Sequence, residues 1–260
     1  PSAPNPTFPA LTSLTWTKGA GDNRLVAWAG KHTKLEDLDL AGNARISSLK
    51  GLRGLSKLED LNVEASLIGD MEVIATFTRL EDLDISETAI TDRGMAKLAA
   101  CKRLRTLFAS GLRLRGTFLK ALRHHGFMHM MMLEQENIRP STLRYSATWV
   151  NLETVDVEMP SVRNIHLRAL RNLPMLKMVS FSGKKLTRNA LQNLRNAWHL
   201  EAFMAMETKI KCADQRRVLG HLPLLDLSDC EDDPDEDEGM LDDPDMGGCG
   251  GDPNDPAGCP

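Results

Sequence analysis

Apolar residues recur along this chain in a six-residue pattern, apolar-x-x-apolar-x-apolar, that returns every 22 to 25 residues. Its copies begin at Leu11, Leu35, Leu58, Leu80, Leu104, Phe127, Leu152, Leu176, Leu200 and Leu222. In a strand alternate side chains share a face, so the fourth and sixth positions of each copy point the same way. Those pairs are Leu38/Leu40, Leu61/Val63, Leu83/Ile85, Leu107/Ala109, Met130/Met132, Val155/Val157, Val179/Phe181, Phe203/Ala205 and Leu225/Leu227. A second apolar set follows at constant offset: Ile90/Met95/Leu98, Leu114/Leu119/Leu122, Val162/Leu167/Leu170 and Leu186/Leu191/Leu194. Spacings of five and three fit one face of a short helix. Thr91 and Thr187 stand just ahead of two such helices, where a hydroxyl caps free amides. A strand this short cannot bury its apolar side alone, but stacked neighbours share a continuous core, so the pattern predicts a solenoid.

Two stretches sharpen this reading. Residues 80–104, LEDLDISETAITDRGMAKLAACKRL, resemble bacterial leucine-rich repeats of the form LxxLxLxxTxITDxGLxxL, and LEDLDLAGNARISSLKGL, 35–52, carries Asn43 where that family places an asparagine. The ninth position is instead Thr88 and Leu112 in the units starting at Leu80 and Leu104. The resemblance covers roughly residues 11–228. It implies an α/β fold: a right-handed leucine-rich-repeat solenoid, or horseshoe, of about ten units, with parallel strands on the concave face and short helices on the convex face.

Composition divides the chain. Residues 1–10 read as a linker, and Trp16, Leu25, Val26 and Trp28 are expected to seal the first unit. All 32 Lys and Arg lie in 1–228, against 23 of the 36 Asp and Glu, so the body carries +9 and residues 229–260 carry −13. A tail this charged and this poor in apolar residues is expected to be disordered. No apolar run is long enough to span a membrane. Cys101, Cys212, Cys230, Cys249 and Cys259 are odd in number and irregular in spacing. Scattered free thiols suit a reducing cytosol, although Cys249 and Cys259 flank a loop that closes a disulfide if the protein is secreted.

The candidate functional surface is the strand face opposite the core. In three consecutive units its outward or flanking positions are almost all acidic: Glu36, Asp37, Asp39, Glu59, Asp60, Glu64, Glu81, Asp82, Asp84 and Glu87, with no Lys or Arg among them. Further along, Phe108, Met128, Met131, Met204 and Met206 take outward positions where polar residues normally serve. The bland alternatives are a solvated face copied by repeat duplication and methionines tucked inward by irregular turns. The functional reading is a docking strip for a protein partner that pairs Lys or Arg with an apolar anchor.

Other chemistry is weaker. His124, His125 and His129 sit among methionines, but the repeat already assigns several of those neighbours to the core, so no metal site is expected. The acidic stretch 232–245 fails the EF-hand spacing, because glycine falls one place late when counted from Asp233. The Lys and Arg spread over the helical side lack interleaved aromatics, which disfavours a nucleic-acid site. No phosphate loop, zinc-spaced Cys/His cluster or nucleophile elbow is present, and no cofactor is expected. The expectation is a non-catalytic, cytoplasmic scaffold for protein–protein interaction. Its rivals are a structural module of a larger protein, or a basic solenoid that binds nucleic acid weakly and is masked by its acidic tail.

Overall fold

The computed structural model describes residues 7–125, 128–134, 138–158, 161–194 and 197–225. Ten strands form one parallel sheet in chain order: β1 (Ser13–Thr15), β2 (Asp37–Asp39), β3 (Asp60–Asn62), β4 (Asp82–Asp84), β5 (Thr106–Phe108), β6 (Met130–Glu134), β7 (Thr154–Glu158), β8 (Met178–Ser182), β9 (Ala202–Met206) and β10 (Leu224–Leu225). Each strand pairs only with those of the coils before and after it, so the fold is a solenoid with one hydrophobic spine. The segments returning on the other side are short. Four are α-helical, α1 (Asn23–Ala29), α2 (Asp92–Met95), α3 (Leu119–Leu122) and α4 (Cys212–Leu219), and the others are mostly 3-10 turns such as Asn164–Leu170 and Arg188–Asn193. The second apolar set from Ile90 to Leu194 is buried throughout, as its spacing predicts.

The fourth and sixth positions of the pattern point inward as expected from Leu38 to Ala109 and again from Val179 to Ala205. The sixth unit is different. Strand β6 pairs Met131 with Leu107 and Val155, and both Met128 and Met131 are fully buried. Its copy of the pattern therefore begins at Met128, not Phe127, and Met130 and Met132 turn outward. This corrects two assignments at once: Met128 and Met131 leave the candidate surface, and Met130 and Met132 leave the core. A slip of one residue exchanges the two faces of a strand. Phe127, Leu227 and the side chain of Val157 lie outside the described residues.

The turns after the strands hold the register. The eighth position of a coil adopts left-handed backbone at Lys18, Gly42, Ala65, Glu87, Gly111 and Glu207, with φ between 49° and 72°. Only two of these are glycine, so four residues carry the strain of that conformation. At the ninth position Asn43 is buried; it donates to Trp16 O and Leu40 O and accepts from Gly21 N of the preceding coil at 3.0 Å. Ser66 and Thr88 each make one such bond, to Val63 O and Ile85 O, and Leu112 makes the position apolar. The expected caps from Thr91 and Thr187 do not form. Side chains bridge the coils near these helix starts instead: Asp92 accepts from Arg115 N, Thr117 Oγ1 and Phe118 N of the next coil, and Asn164 bonds both the amide and the hydroxyl of Thr187. At the N-terminal end Val26 is buried and Leu25 and Trp28 pack on the core, whereas Trp16 is half exposed and seals nothing.

Candidate partner-binding face

The sheet's outer face is organised by register. The third positions form one row, Asp37, Asp60, Asp82, Thr106, Met130, Thr154, Met178, Ala202 and Leu224. The fifth positions form a second, Asp39, Asn62, Asp84, Phe108, Met132, Asp156, Ser180 and Met204. Both rows change character between β4 and β5. Carboxylates dominate the first half and apolar groups the second. Glu36, Glu59 and Glu81 flank the first half one position earlier, while Glu64 and Glu87 lie past the strands and are exposed.

These carboxylates are not equivalent. Asp39 Oδ1 accepts from Ala41 N at 3.0 Å and Asp84 Oδ1 from Ser86 N at 2.9 Å, so both are committed to closing their own turns. Glu59 pairs with Arg79, and Glu81 with Arg105 at 3.4 Å. The unbroken acidic run expected from the sequence is thus partly neutralised by two arginines just outside it. What stays concentrated is the row Asp37, Asp60, Asp82. Burial, then a hydrogen bond and repulsion from Asp82, then the charges of Asp37 and Glu59, push Asp60 up to about 6. Three carboxyls on adjacent rungs, about 4.8 Å apart, cannot all ionise without cost.

The second half offers apolar reach. Phe108, Met130, Met132, Met204 and Met206 are half-buried, Met178 is 39% exposed and Leu224 is 64% exposed. Met130, Met132, Met178 and Leu224 were missed in the sequence, the first two through the register slip. Asp156 is the one acidic side chain of the two rows here, and burial holds its carboxyl above the usual range against the opposing pull of Ser180. Beside the rows, Glu153 bonds Lys177 at 2.7 Å and His129 at 3.0 Å, and the Lys177 bond chiefly holds it below the usual carboxylate range.

The remaining chemistry disperses. His125 is buried with Nε2 on Cys101 O, and burial lowers its pKa; His129 faces Glu153 and His124 faces Arg123. Among the described residues no three His, Cys, Asp or Glu side chains are placed to hold a metal ion. The acidic stretch 232–245 lies outside the described residues. Cys101 is a buried free thiol that burial pushes up to about 11, a poor nucleophile. The expectation of free thiols fails at Cys212, which is disulfide-bonded. No helix among the described residues is long and apolar enough to cross a membrane.

Similar structures share the architecture. The chain resembles internalin C2 of Listeria monocytogenes over 75% of its own length and 80% of that protein's, with a TM-score of 0.61 and 18% identity. It resembles TLR13, solved in complex with ssRNA13, over 84% of its length with a TM-score of 0.59 and 19% identity, and spans 32% of that chain. The fold is a leucine-rich-repeat solenoid. A second Listeria monocytogenes internalin, InlF, aligns over 83% of this chain at a TM-score of 0.47 and 16% identity. No protein-family model matches the sequence, and no curated protein is significantly similar to it. The likeness to the solved leucine-rich-repeat structures, at under 20% identity, is one of fold.

Proposed function

We propose that this leucine-rich-repeat solenoid is a non-catalytic recognition module that holds a protein partner along its concave face. The partner places Lys or Arg against Asp37, Asp60 and Asp82 and an apolar side chain among the methionines from Met132 to Met206. One observation carries this reading: both outward rows change in register, from carboxylates on β4 (Asp82, Asp84) through Thr106 and Phe108 on β5 to thioethers on β6 (Met130, Met132). Leucine-rich-repeat neighbours support a binding scaffold in general terms. Burial, and after it the hydrogen bond and repulsion from Asp82, raise Asp60; a cation set between the two carboxyls offsets the repulsion, which favours positive charge on the free face. The same charge opposes a phosphate backbone on this face, which separates this reading from the ssRNA complex of TLR13.

The geometry sets a spacing. Asp60 and Met132 are three rungs apart, about 14 Å at ~4.8 Å per rung, and Asp60 and Met204 are six rungs apart, about 29 Å. An extended segment running across the strands covers these in about four and about nine residues at ~3.3 Å each. A peptide array with a Lys-Arg pair and one Leu at separations of two to twelve residues tests this. Binding is expected to peak within the four-to-nine range and to weaken with salt. Charge reversal of Glu59, Asp60, Glu81 and Asp82 to Lys abolishes it; unchanged binding by that variant rejects the acidic strip.

A further inference from the structure

The methionines divide by burial. Among the described residues Met71, Met95, Met128 and Met131 are fully buried, whereas Met130, Met132, Met204 and Met206 are half-buried and Met178 is 39% exposed. The second group shares one face. Met130 and Met178 stand in the row of third positions, Met132 and Met204 in the row of fifth positions, and Met206 two residues further along β9. We propose that these five thioethers form a reversible oxidation site, at which peroxide turns the apolar half of the concave face polar while the coils stay folded. The consequence for recognition rests on the partner-binding reading of this face; the site itself rests on the packing.

A thioether sulfur reacts with peroxide where the oxidant reaches it, so exposure selects the methionines that change. In the third-position row long and short side chains alternate: Thr106, Met130, Thr154, Met178, Ala202. Met130 and Met178 are two rungs apart, about 10 Å, and only Thr154 stands between them in that row. The product finds partners already in place. A sulfoxide oxygen is a far better hydrogen-bond acceptor than a thioether sulfur. Four of the five thioethers have a hydroxyl in register on an adjacent strand: Thr106 and Thr154 beside Met130, Thr154 beside Met178, Ser180 beside Met204 and Ser182 beside Met206. Ser180 is the telling case. It is 2% exposed, and its hydroxyl acts on the Asp156 carboxyl but meets no partner at hydrogen-bonding geometry. An oxygen on the Met204 sulfur supplies an acceptor to this buried donor. Met132, between Phe108 and Asp156, has no such hydroxyl in register.

The step is a two-electron oxidation of sulfur. The sulfur lone pair attacks one oxygen of hydrogen peroxide, an S–O bond forms as the O–O bond breaks, and the departing hydroxide takes the proton of the transferred oxygen and leaves as water. Methionine sulfoxide reductases run the return: the oxygen leaves as water while two thiols become a disulfide. On the face, each new oxygen is a polar group that a partner's apolar side chain must desolvate. Asp60 and Asp82 do not change, so the attraction for Lys and Arg persists while the apolar anchor is lost. The fold is spared because the four core methionines are packed out of reach of the oxidant.

Peptide mass mapping of the full chain after graded exposure to hydrogen peroxide tests the site without any partner. Oxygen is expected on Met178 first and on the four half-buried thioethers next. Their rates should exceed those of Met71, Met95, Met128 and Met131 by on the order of tenfold, and the core four should react fully only in urea. Thermal unfolding of the oxidised chain should stay cooperative, with Tm lower by no more than about 5 °C. The two epimer-specific sulfoxide reductases should restore the original masses. Uniform oxidation of core and face, unfolding that accompanies modification of the face, or sulfoxides that resist both reductases overturns the site. Binding of the Lys-Arg and Leu peptide of best spacing reads the consequence. It is expected to weaken at least about tenfold on oxidation and to keep its dependence on salt. A variant combining Met130→Leu, Met132→Leu, Met178→Leu, Met204→Leu and Met206→Leu should bind equally before and after peroxide, whatever its starting affinity. Met175→Leu, at a side chain 39% exposed but outside both rows, should respond to peroxide as the unaltered chain does. A peroxide effect that survives the five leucines refutes control through this face. A peptide that fails to bind the unoxidised chain refutes the recognition reading, and the mapping still decides the site.

Discussion

Replacing one carboxyl oxygen on β3 tests the electrostatics of the whole face. Asp60 ionises at about 6 in the folded chain, against an ordinary value of 3.8, because burial and Asp82 disfavour its charge. That rise corresponds to about 3 kcal/mol, and because the side chain is only partly withdrawn from water, screening reduces the working figure to about 1–2 kcal/mol. The folded state holds this proton more tightly than the unfolded state. The charge therefore costs nothing below the unfolded value, a penalty builds as pH rises from 3.8 towards 6, and it is complete above 6. Asp60→Asn keeps the shape and removes the charge, so it should stabilise the protein by about 1–2 kcal/mol at pH 7.5 in low salt. It should give almost no gain at pH 3.5. Urea unfolding of both proteins across this range, in about 20 mM and about 500 mM salt, measures the difference, and salt should shrink the gain at pH 7.5. A gain that is flat with pH, or a loss at pH 7.5, would refute the shared-charge account. The same penalty links stability to recognition: the substitution that stabilises the free solenoid should weaken its hold on a basic peptide.

Three other outcomes follow from the packing. Met131→Ala should cost about 2–4 kcal/mol in urea unfolding, whereas Met132→Ala costs less than about 1, because only the first is buried. Asp92→Ala removes the acceptor for two amides and a hydroxyl of the next coil and should cost about 2 kcal/mol, with faster amide exchange at Arg115 and Phe118. Ala65→Gly, at φ 53°, should leave stability unchanged or raise it by up to about 1 kcal/mol in thermal unfolding, whereas Gly42→Ala, at φ 72°, should lower it by a similar amount.

The solenoid was legible because its signal is redundant: any one strand is two to five residues, but the same apolar pattern returns ten times and fixes each unit's register. Where redundancy fails, so does the reading. In His124-His125-Gly126-Phe127-Met128-His129-Met130-Met131-Met132-Leu133, apolar residues satisfy the pattern from either Phe127 or Met128, and periodicity within the unit cannot choose. The spacing between units can. Starting at Phe127 gives intervals of 23 and 25 on either side, whereas Met128 gives 24 and 24. The latter also sets His129 one repeat before Glu153, and the two side chains meet at 3.0 Å. The partners of the acidic row were legible to different degrees for the same reason. Arg105 lies one full repeat from Glu81 and is found by counting, but Arg79 reaches Glu59 from the end of a coil, 20 residues away and off the period. Asp39 and Asp84 look like their neighbours in sequence, yet each turns one oxygen to an amide two residues on. Repetition thus reports which residues share a rung but is silent on which are already occupied. A reading that treats every outward carboxylate as free will overstate the face's charge: even Asp37 accepts from Ser13 Oγ at 2.8 Å, and the adjacent pair Asp60 and Asp82 is where substitutions should bear most on binding.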